Sequence, residues 1–408
     1  MPLRLCLAAA AVVSVALVPA AQARPGSTLP QRLARALRAP HLDPGRTGAI
    51  VLDLTSGRTV FARHATLPLA PASNEKLATT YAALTGLGPS FRIETDVLGN
   101  GTQTGSTWNG DLVLKGYGDP TLSASDLVSL ARQVAADGIE RVTGRVLGDE
   151  SWFDTRRVGV GWKPDFYLHE SPALSALIVD RGWTGRAETP EPALDAARLF
   201  RADLRRAGVR VAGGASLGTA AADAEPLAFV QSPPVSALVR HMDVESDNFY
   251  AEMLLKEVGA VQGAAGSAAA GVAVARHLLA AAGVPLAGVR MVDGSGLSRR
   301  DRWTPDGLAV LLRTMWLDPD LRPYLLAALP VAGETGTLEE RMRRGPAHGL
   351  VRAKTGTTDE ASSLSGLVGD RYVFSVLENG RPVRTRAAER SQDRFAQVLA
   401  ASAAGAAG

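Results

Sequence analysis

The segments that read most firmly as β-strands stand at opposite ends of this 408-residue chain. Near the start, Gly48-Ala49-Ile50-Val51-Leu52-Asp53-Leu54 is an apolar run closed by the turn residues Thr55-Ser56-Gly57, and Thr59-Val60-Phe61 begins a return strand. Near the end, Leu364 to Val368 and Tyr372 to Leu377 read as adjacent antiparallel strands, and a short helix from Ser391 to Ala400 follows. A terminal hairpin paired with the N-terminal strands would join both ends in one antiparallel sheet. The helices between would cover it, an α+β arrangement.

Between these ends the texture changes twice. After a break at Pro68 to Ala72, a helix is predicted through Lys76 to Leu84. From about Phe91 the chain turns Gly-rich with short strands, Leu112 to Leu114 and Val142 to Leu147, around helical spacing at Ser125 to Asp137. A helix over Ala193 to Ala207 and a strand at Val209 to Val211 follow. From Pro233-Pro234 onward, helices are predicted over Val235 to Met242, Asn248 to Val258 and Ala268 to Ala282. The expected organisation is therefore one domain built from residues 24–90 and 232–408, interrupted by an inserted α+β domain over 91–231.

Residues 1–23 read as a secretory signal peptide, with Arg4 as the positive flank, an apolar run from Leu5 to Val18 and the small-x-small site Ala21-Gln22-Ala23. The run is short for a membrane span, and no later segment qualifies. Cys6 is the single cysteine, and it lies inside this leader. The mature chain then has no disulfide, no thiol nucleophile and no thiolate metal ligand. The expected location is outside the cytoplasm: periplasm, cell wall or medium. Charge is balanced, +3 net, which leaves no footprint for nucleic acid. No pair among the six histidines has metal-ligand spacing, so neither a metal nor another cofactor is expected.

Of 44 basic residues only five are lysine, so each lysine is informative. Lys76 stands three residues after Ser73, at the start of a predicted helix where i and i+3 share a face. The hydroxyl and the amine can then approach, and the helix N-terminus favours negative charge developing on oxygen. A lysine serves as base only when burial or a second cation lowers its pKa. Alone, Ser-x-x-Lys is a weak signal. Two further clusters accompany it. Ser246-Asp247-Asn248 offers a hydroxyl to relay a proton and an amide to hold a carbonyl. Lys354-Thr355-Gly356-Thr357 offers a cation, a hydroxyl and a glycine that lets a substrate backbone lie close.

Ser-x-x-Lys, Ser-x-Asn and Lys-Thr-Gly in this order form the set shared by penicillin-recognising serine enzymes. Longer strings agree: Pro71-Ala72-Ser73-Asn74-Glu75-Lys76-Leu77, Gly118-Asp119-Pro120-Thr121-Leu122, Ser232-Pro233-Pro234, Ser246-Asp247-Asn248-Phe249-Tyr250-Ala251-Glu252, Asp293-Gly294-Ser295-Gly296-Leu297-Ser298-Arg299 and Gly336-Thr337-Leu338. With these the chain resembles the D-alanyl-D-alanine carboxypeptidase/endopeptidase family, the class C low-molecular-mass penicillin-binding proteins. The resemblance implies a penicillin-binding, serine β-lactamase-like transpeptidase domain carrying an insert. It implies peptidoglycan stem peptides as substrates and β-lactams as covalent inhibitors. Ser73 would be the nucleophile, Lys76 its base, and Ser246 the relay to the leaving amine. Asn248 would hold the acyl donor's amide, and Lys354 and Thr355 would face the substrate carboxylate. The N–H groups of Ser73 and Thr357 would form the oxyanion hole. One departure stands out. The family commonly nests a third domain after a segment like Ser175 to Val179, and here only Asp180 to Glu191 precedes the next helix.

Two other readings compete. A β-lactamase or esterase of the same fold would need a residue that activates water for deacylation, and no Glu motif in the insert signals one. A non-catalytic wall-binding protein would have no need to keep Ser73, Lys76, Ser246, Asn248 and Lys354 together. Gly214-Ala215-Ser216-Leu217-Gly218 matches a nucleophile elbow, but no helix is predicted after it, so it reads as a loop.

Overall fold

The computed structural model describes residues 27–404 except 168, 184 and 186; the expected signal peptide lies outside them. The chain opens with helix α1 (Leu29–Ala36) and strands β1 (Thr47–Asp53) and β2 (Thr59–Arg63), then enters helix α2 (Lys76–Gly86) through a 3-10 turn, Ala72–Glu75. It next builds a separate sheet, in order β3 (Glu94–Thr104), β4 (Thr107–Gly116), α3 (Ala124–Ala136), β5 (Arg141–Val142), β6 (Val146–Asp149), α4 (Pro192–Arg206), β7 (Arg210–Val211), β8 (Ala215–Leu217) and β9 (Glu225–Gln231). It returns through helices α5 (Val235–Glu245), α6 (Asn248–Gln262), α7 (Ala268–Ala281), α8 (Pro305–Leu317) and α9 (Arg322–Ala328). Strands β10 (Val351–Thr357), β11 (Ala361–Val368) and β12 (Tyr372–Asn379) and the long helix α10 (Thr385–Ala404) end it.

The two ends do share a sheet, ordered β10-β11-β12-β1-β2 and antiparallel throughout, with Ile50 opposite Ser375. Side chains alternate across it. Ile50, Leu52, Val373 and Leu377 face a core with Leu77, Tyr81, Leu238, Met242, Trp303 and Leu312. Ala49, Val51, Phe374 and Val376 face α1 and α10 through Leu33, Phe395 and Leu399. Both faces are covered, so these strands read as continuous apolar runs. The second sheet is ordered β7-β5-β4-β3-β9, with β6 and β8 continuing from β4, and it packs on α3 and α4 through Trp108, Leu112, Leu130 and Phe200.

Several local expectations need correction. Val142 to Leu147 is two strands, because the chain bends at Gly144, where a Cβ would lie 2.2 Å from Asp111 Oδ1 and 2.3 Å from the Gly110 carbonyl. Ser73 sits on the 3-10 turn ahead of α2 rather than on an α-helix, and i and i+3 stack more directly there. Lys354 to Thr357 form the edge strand of the terminal sheet, which has one more strand at this end than the two predicted. Ser216 lies in β8, paired in parallel with β6. Among the described residues, no helix is long and apolar enough to cross a membrane.

Candidate active site

Three elements converge on one cleft of about 300 Å3: the turn bearing Ser73, the α5–α6 junction bearing Ser246 and Asn248, and β10 with Thr355, Gly356 and Thr357. Two of these depend on uncommon backbone. Ala72, just before Ser73, has φ 48°, and Ser246 has φ 60°. Left-handed non-glycine residues cost on the order of 1–3 kcal/mol and cluster where a site needs them. At Ser246 the kink ends α5 and lets α6 restart at once, capped by Asp247, which accepts from the Tyr250 N–H at 3.1 Å. Ser246 and Asn248 thereby reach the same cleft.

Lys76 is completely buried beneath Ser73. Its Nζ lies 3.1 Å from Ser73 Oγ, 2.7 Å from Asn248 Oδ1 and 2.8 Å from the Ser295 carbonyl. The last two are acceptors only. A neutral amine has two N–H groups and one lone pair, so both hydrogens go to these oxygens and the lone pair is left for the Ser73 hydroxyl. Burial pulls the Lys76 pKa down to about 8, although Asp293, Asp243 and Glu252 pull the other way. Lys354, also buried, donates to Ser246 Oγ at 2.9 Å and to the Thr355 carbonyl at 3.1 Å. Burial and then repulsion from Lys76 bring it to about 7. Thr355 Oγ1 donates to Thr337 Oγ1 at 2.7 Å, and Arg341, fixed by Asp393 at 2.7 Å, lines the same end of the cleft.

The structure thus brings Ser73, Lys76, Ser246, Asn248 and Lys354 together at one cleft as two hydrogen-bonded groups, Ser73–Lys76–Asn248 and Ser246–Lys354, with Thr355 to Thr357 along its wall. In the string Asp293 to Arg299, Asp293 and Ser295 are fully buried and Leu297 lines the cleft. Asp293 accepts from Gly296 N, Ser298 N and Trp162 Nε1 at 2.7–2.8 Å, and Glu252 accepts from Gly294 N and Ser295 N. That loop supplies the Ser295 carbonyl to Lys76. Gly118 to Leu122 forms a turn closed by Asp119, whose Oδ1 accepts from Thr121 N and Oγ1, and it does not line the cleft. Sequence reasoning missed Asp243, buried on α5 and bonded by Thr80 at 2.6 Å, which faces both lysines and whose own carboxyl burial pushes up to about 6. It also missed Glu170 and Arg181, both contributed by the 91–231 segment. The Arg181 guanidinium donates to Asp247 at 2.6 Å and lies over the Phe249 ring, 5.1 Å from its centroid. Burial alone would raise Asp247, but this partner holds it below the ordinary carboxylate range.

A buried lysine against a serine, a second lysine against a second serine and an edge strand beside both define a serine acyl-transfer enzyme of the penicillin-binding, β-lactamase-like class. The model of the D-Ala-D-Ala carboxypeptidase 3 (S13) family matches residues 29–190 and 184–402, and the chain belongs to that family. It is 33% identical to a D-alanyl-D-alanine carboxypeptidase of Actinomadura sp., across 84% of this chain and 79% of the relative. It is 32% identical to carboxypeptidase DacB of Mycolicibacterium smegmatis, across 92% and 84%. In structure it is similar to penicillin binding protein 4 of Haemophilus influenzae, with TM-score 0.79, 21% identity and coverage of 91% and 98%. The chain is a serine-type D-Ala-D-Ala carboxypeptidase, α+β in fold.

Proposed function

We propose that the protein cleaves D-Ala-D-Ala termini, or D-Ala cross-links, of peptidoglycan stem peptides through an acyl-enzyme on Ser73, and that β-lactams acylate the same oxygen. The observation that carries this is the buried Lys76 Nζ, 3.1 Å from Ser73 Oγ and 2.7 and 2.8 Å from the acceptors Asn248 Oδ1 and Ser295 O, a placement that in the neutral amine leaves the lone pair for Ser73. Lys76 takes the Ser73 proton as Oγ attacks the acyl carbon. Ser246, held by Lys354, passes a proton to the leaving D-Ala amine. Lys354, Thr355 and Arg341 hold the carboxylate of the leaving residue, and Asn248 holds the acyl-side amide. The N–H groups of Ser73 and Thr357 receive the oxyanion, a contribution of about 3 kcal/mol for one such donor. No step calls for a cofactor. The catalytic domain comprises residues 24–90 and 232–408, the insert 91–231, and the nested third domain is lost. Among the described residues of Asp180 to Glu191 there are only a 3-10 turn and the Trp183–Glu188 bridge, which supports that loss. The leader-like N-terminus supports export to the cell wall. Mass spectrometry of the intact protein after incubation with a labelled penicillin, followed by peptide mapping, tests this reading. One adduct on the Ser73 peptide is expected; no adduct, or one on Ser216, would overturn it.

A further inference from the structure

A carboxylate from the inserted segment enters the cleft. Glu170 belongs to a loop closed on itself by its N–H to the Phe166 carbonyl at 2.9 Å and by the Tyr167–Ser171 bridge. Its main-chain carbonyl accepts from Asn248 Nδ2 at 3.0 Å, and its Oε2 lies 3.4 Å from the same nitrogen. The cleft is lined by two carboxylates, Glu170 and Glu389. Glu389 belongs to the Arg341 end, where its carbonyl accepts from that guanidinium at 3.4 Å. Glu170 stands beside the Asn248 amide that would hold the acyl group. An amide nitrogen carries two N–H groups, so Asn248 can bind the acyl-side carbonyl with one while the other keeps Glu170 in place. Its Oδ1 is meanwhile fixed by Lys76, 3.1 Å from Ser73.

We propose that Glu170 is the general base that activates water to deacylate Ser73, so that the protein slowly hydrolyses β-lactams as well as being acylated by them. This rests on the Ser73 acyl-enzyme reading above. The acyl-enzyme is an ester of Ser73 Oγ. Water gives one proton to the Glu170 carboxylate as its oxygen bonds to the acyl carbon. The C–Oγ bond then breaks, its electron pair stays on Oγ, and the proton moves from Glu170 to that oxygen. The products are the free hydroxyl and a carboxylic acid, with water the sole co-reactant.

The test separates uptake from release, using a fluorescent penicillin and then a chase with unlabelled drug, on the full chain and its Glu170→Gln and Glu170→Asp variants. Glu170→Gln is expected to take up label on Ser73 but to release it about 100-fold or more slowly, the usual worth of a general base. Glu170→Asp should recover part of the loss. Release by Glu170→Gln within about threefold of wild type, or an equal slowing of uptake and release in both variants, overturns the proposal. Failure of the wild type to take up label would instead remove the Ser73 reading itself.

Discussion

Asn74, the residue after the nucleophile, donates its side-chain amide to the main-chain carbonyl of Lys354 at 3.0 Å. The turn that carries Ser73 and the strand that carries Lys354 are thereby tied across 280 residues of sequence. A second tie lies beside it: Ser363 Oγ, on β11, donates to the Pro71 carbonyl at 2.7 Å. The spacing between turn and edge strand is set by these two bonds, and it leaves no room at Gly356.

A Cβ on Gly356 would lie 2.3 Å from Ser363 Oγ and 2.9 Å from both the Pro71 carbonyl and the Ser73 nitrogen. Two of those atoms are backbone and cannot swing aside, so Gly356→Ala must push β10 off the turn. Overpacking of this kind costs about 1–3 kcal/mol, and here the displaced group includes the Ser73 N–H proposed for the oxyanion hole. Acylation by penicillin should fall about 100-fold or more, in line with the loss of one such donor, while circular dichroism still reports a folded protein. Near wild-type acylation would show that the turn and strand have slack the geometry denies.

Lys76→Arg separates charge from basicity. Arginine keeps a cation at this position but does not deprotonate in a protein, so it has no lone pair to offer Ser73. Acylation should drop about 1000-fold or more, within or beyond the range expected when a general base is removed, measured as adduct formation over time. If the variant acylates at a rate close to wild type, the base is another group, with Ser246 the nearest alternative.

The pH profile follows from the same pair. The competent state has Lys76 neutral and Lys354 charged, yet Lys76 is the weaker acid, at about 8 against about 7. That state is a minority form, and like-charge repulsion makes the two titrations a property of the pair. Acylation should therefore trace a bell with limbs near pH 7 and pH 8. Lys354→Arg cannot lose its charge, so the alkaline limb should disappear and the rate should rise to a plateau above about pH 8. Its maximum should be lower because the guanidinium fits the site of Nζ poorly. A bell retained in Lys354→Arg would assign the alkaline limb to some other group.

The parts of this arrangement visible in the sequence are those whose signal is local. Ile50 to Leu54 and Tyr372 to Leu377 announce buried strands because both of their faces are covered. Ser73 and Lys76 announce a shared face by their spacing alone. Strand β3 was not legible, since Gly99 and Gly101 break its apolar pattern. It pairs nonetheless, because Trp108 packs where a Gly99 Cβ would sit, 2.1 Å from Cζ2. Asp243 looks like any polar residue on an amphipathic helix; only the arrival of two lysines from remote elements makes its burial tolerable. Glu170 lies in an aperiodic loop whose position depends on how two separately built sheets meet. Neither could be found without the three-dimensional contacts.

Glu252 offers a test of the buried acids beneath Lys76. It lies inside α6 with Oε1 taken by the N–H groups of Gly294 and Ser295, while Oε2 has no partner. Burial first, and Asp293 second, raise its carboxyl from 4.5 to about 8; Glu75 and Asp301 are raised for the same reasons. The folded protein then keeps protons that the unfolded chain has lost. Between pH 4.5 and about 8 the native state binds more protons than the unfolded state, so stability should fall as pH rises through that window. Below it both states are protonated and this contribution is flat. Glu252→Gln preserves the Oε1 acceptor for the loop and removes the ionisation. In urea titrations the two proteins should be nearly equal at about pH 4, and the variant should gain on wild type steadily up to about pH 8. A difference between them that stays constant with pH would mean that the Glu252 carboxyl ionises in the folded protein as readily as in the unfolded one.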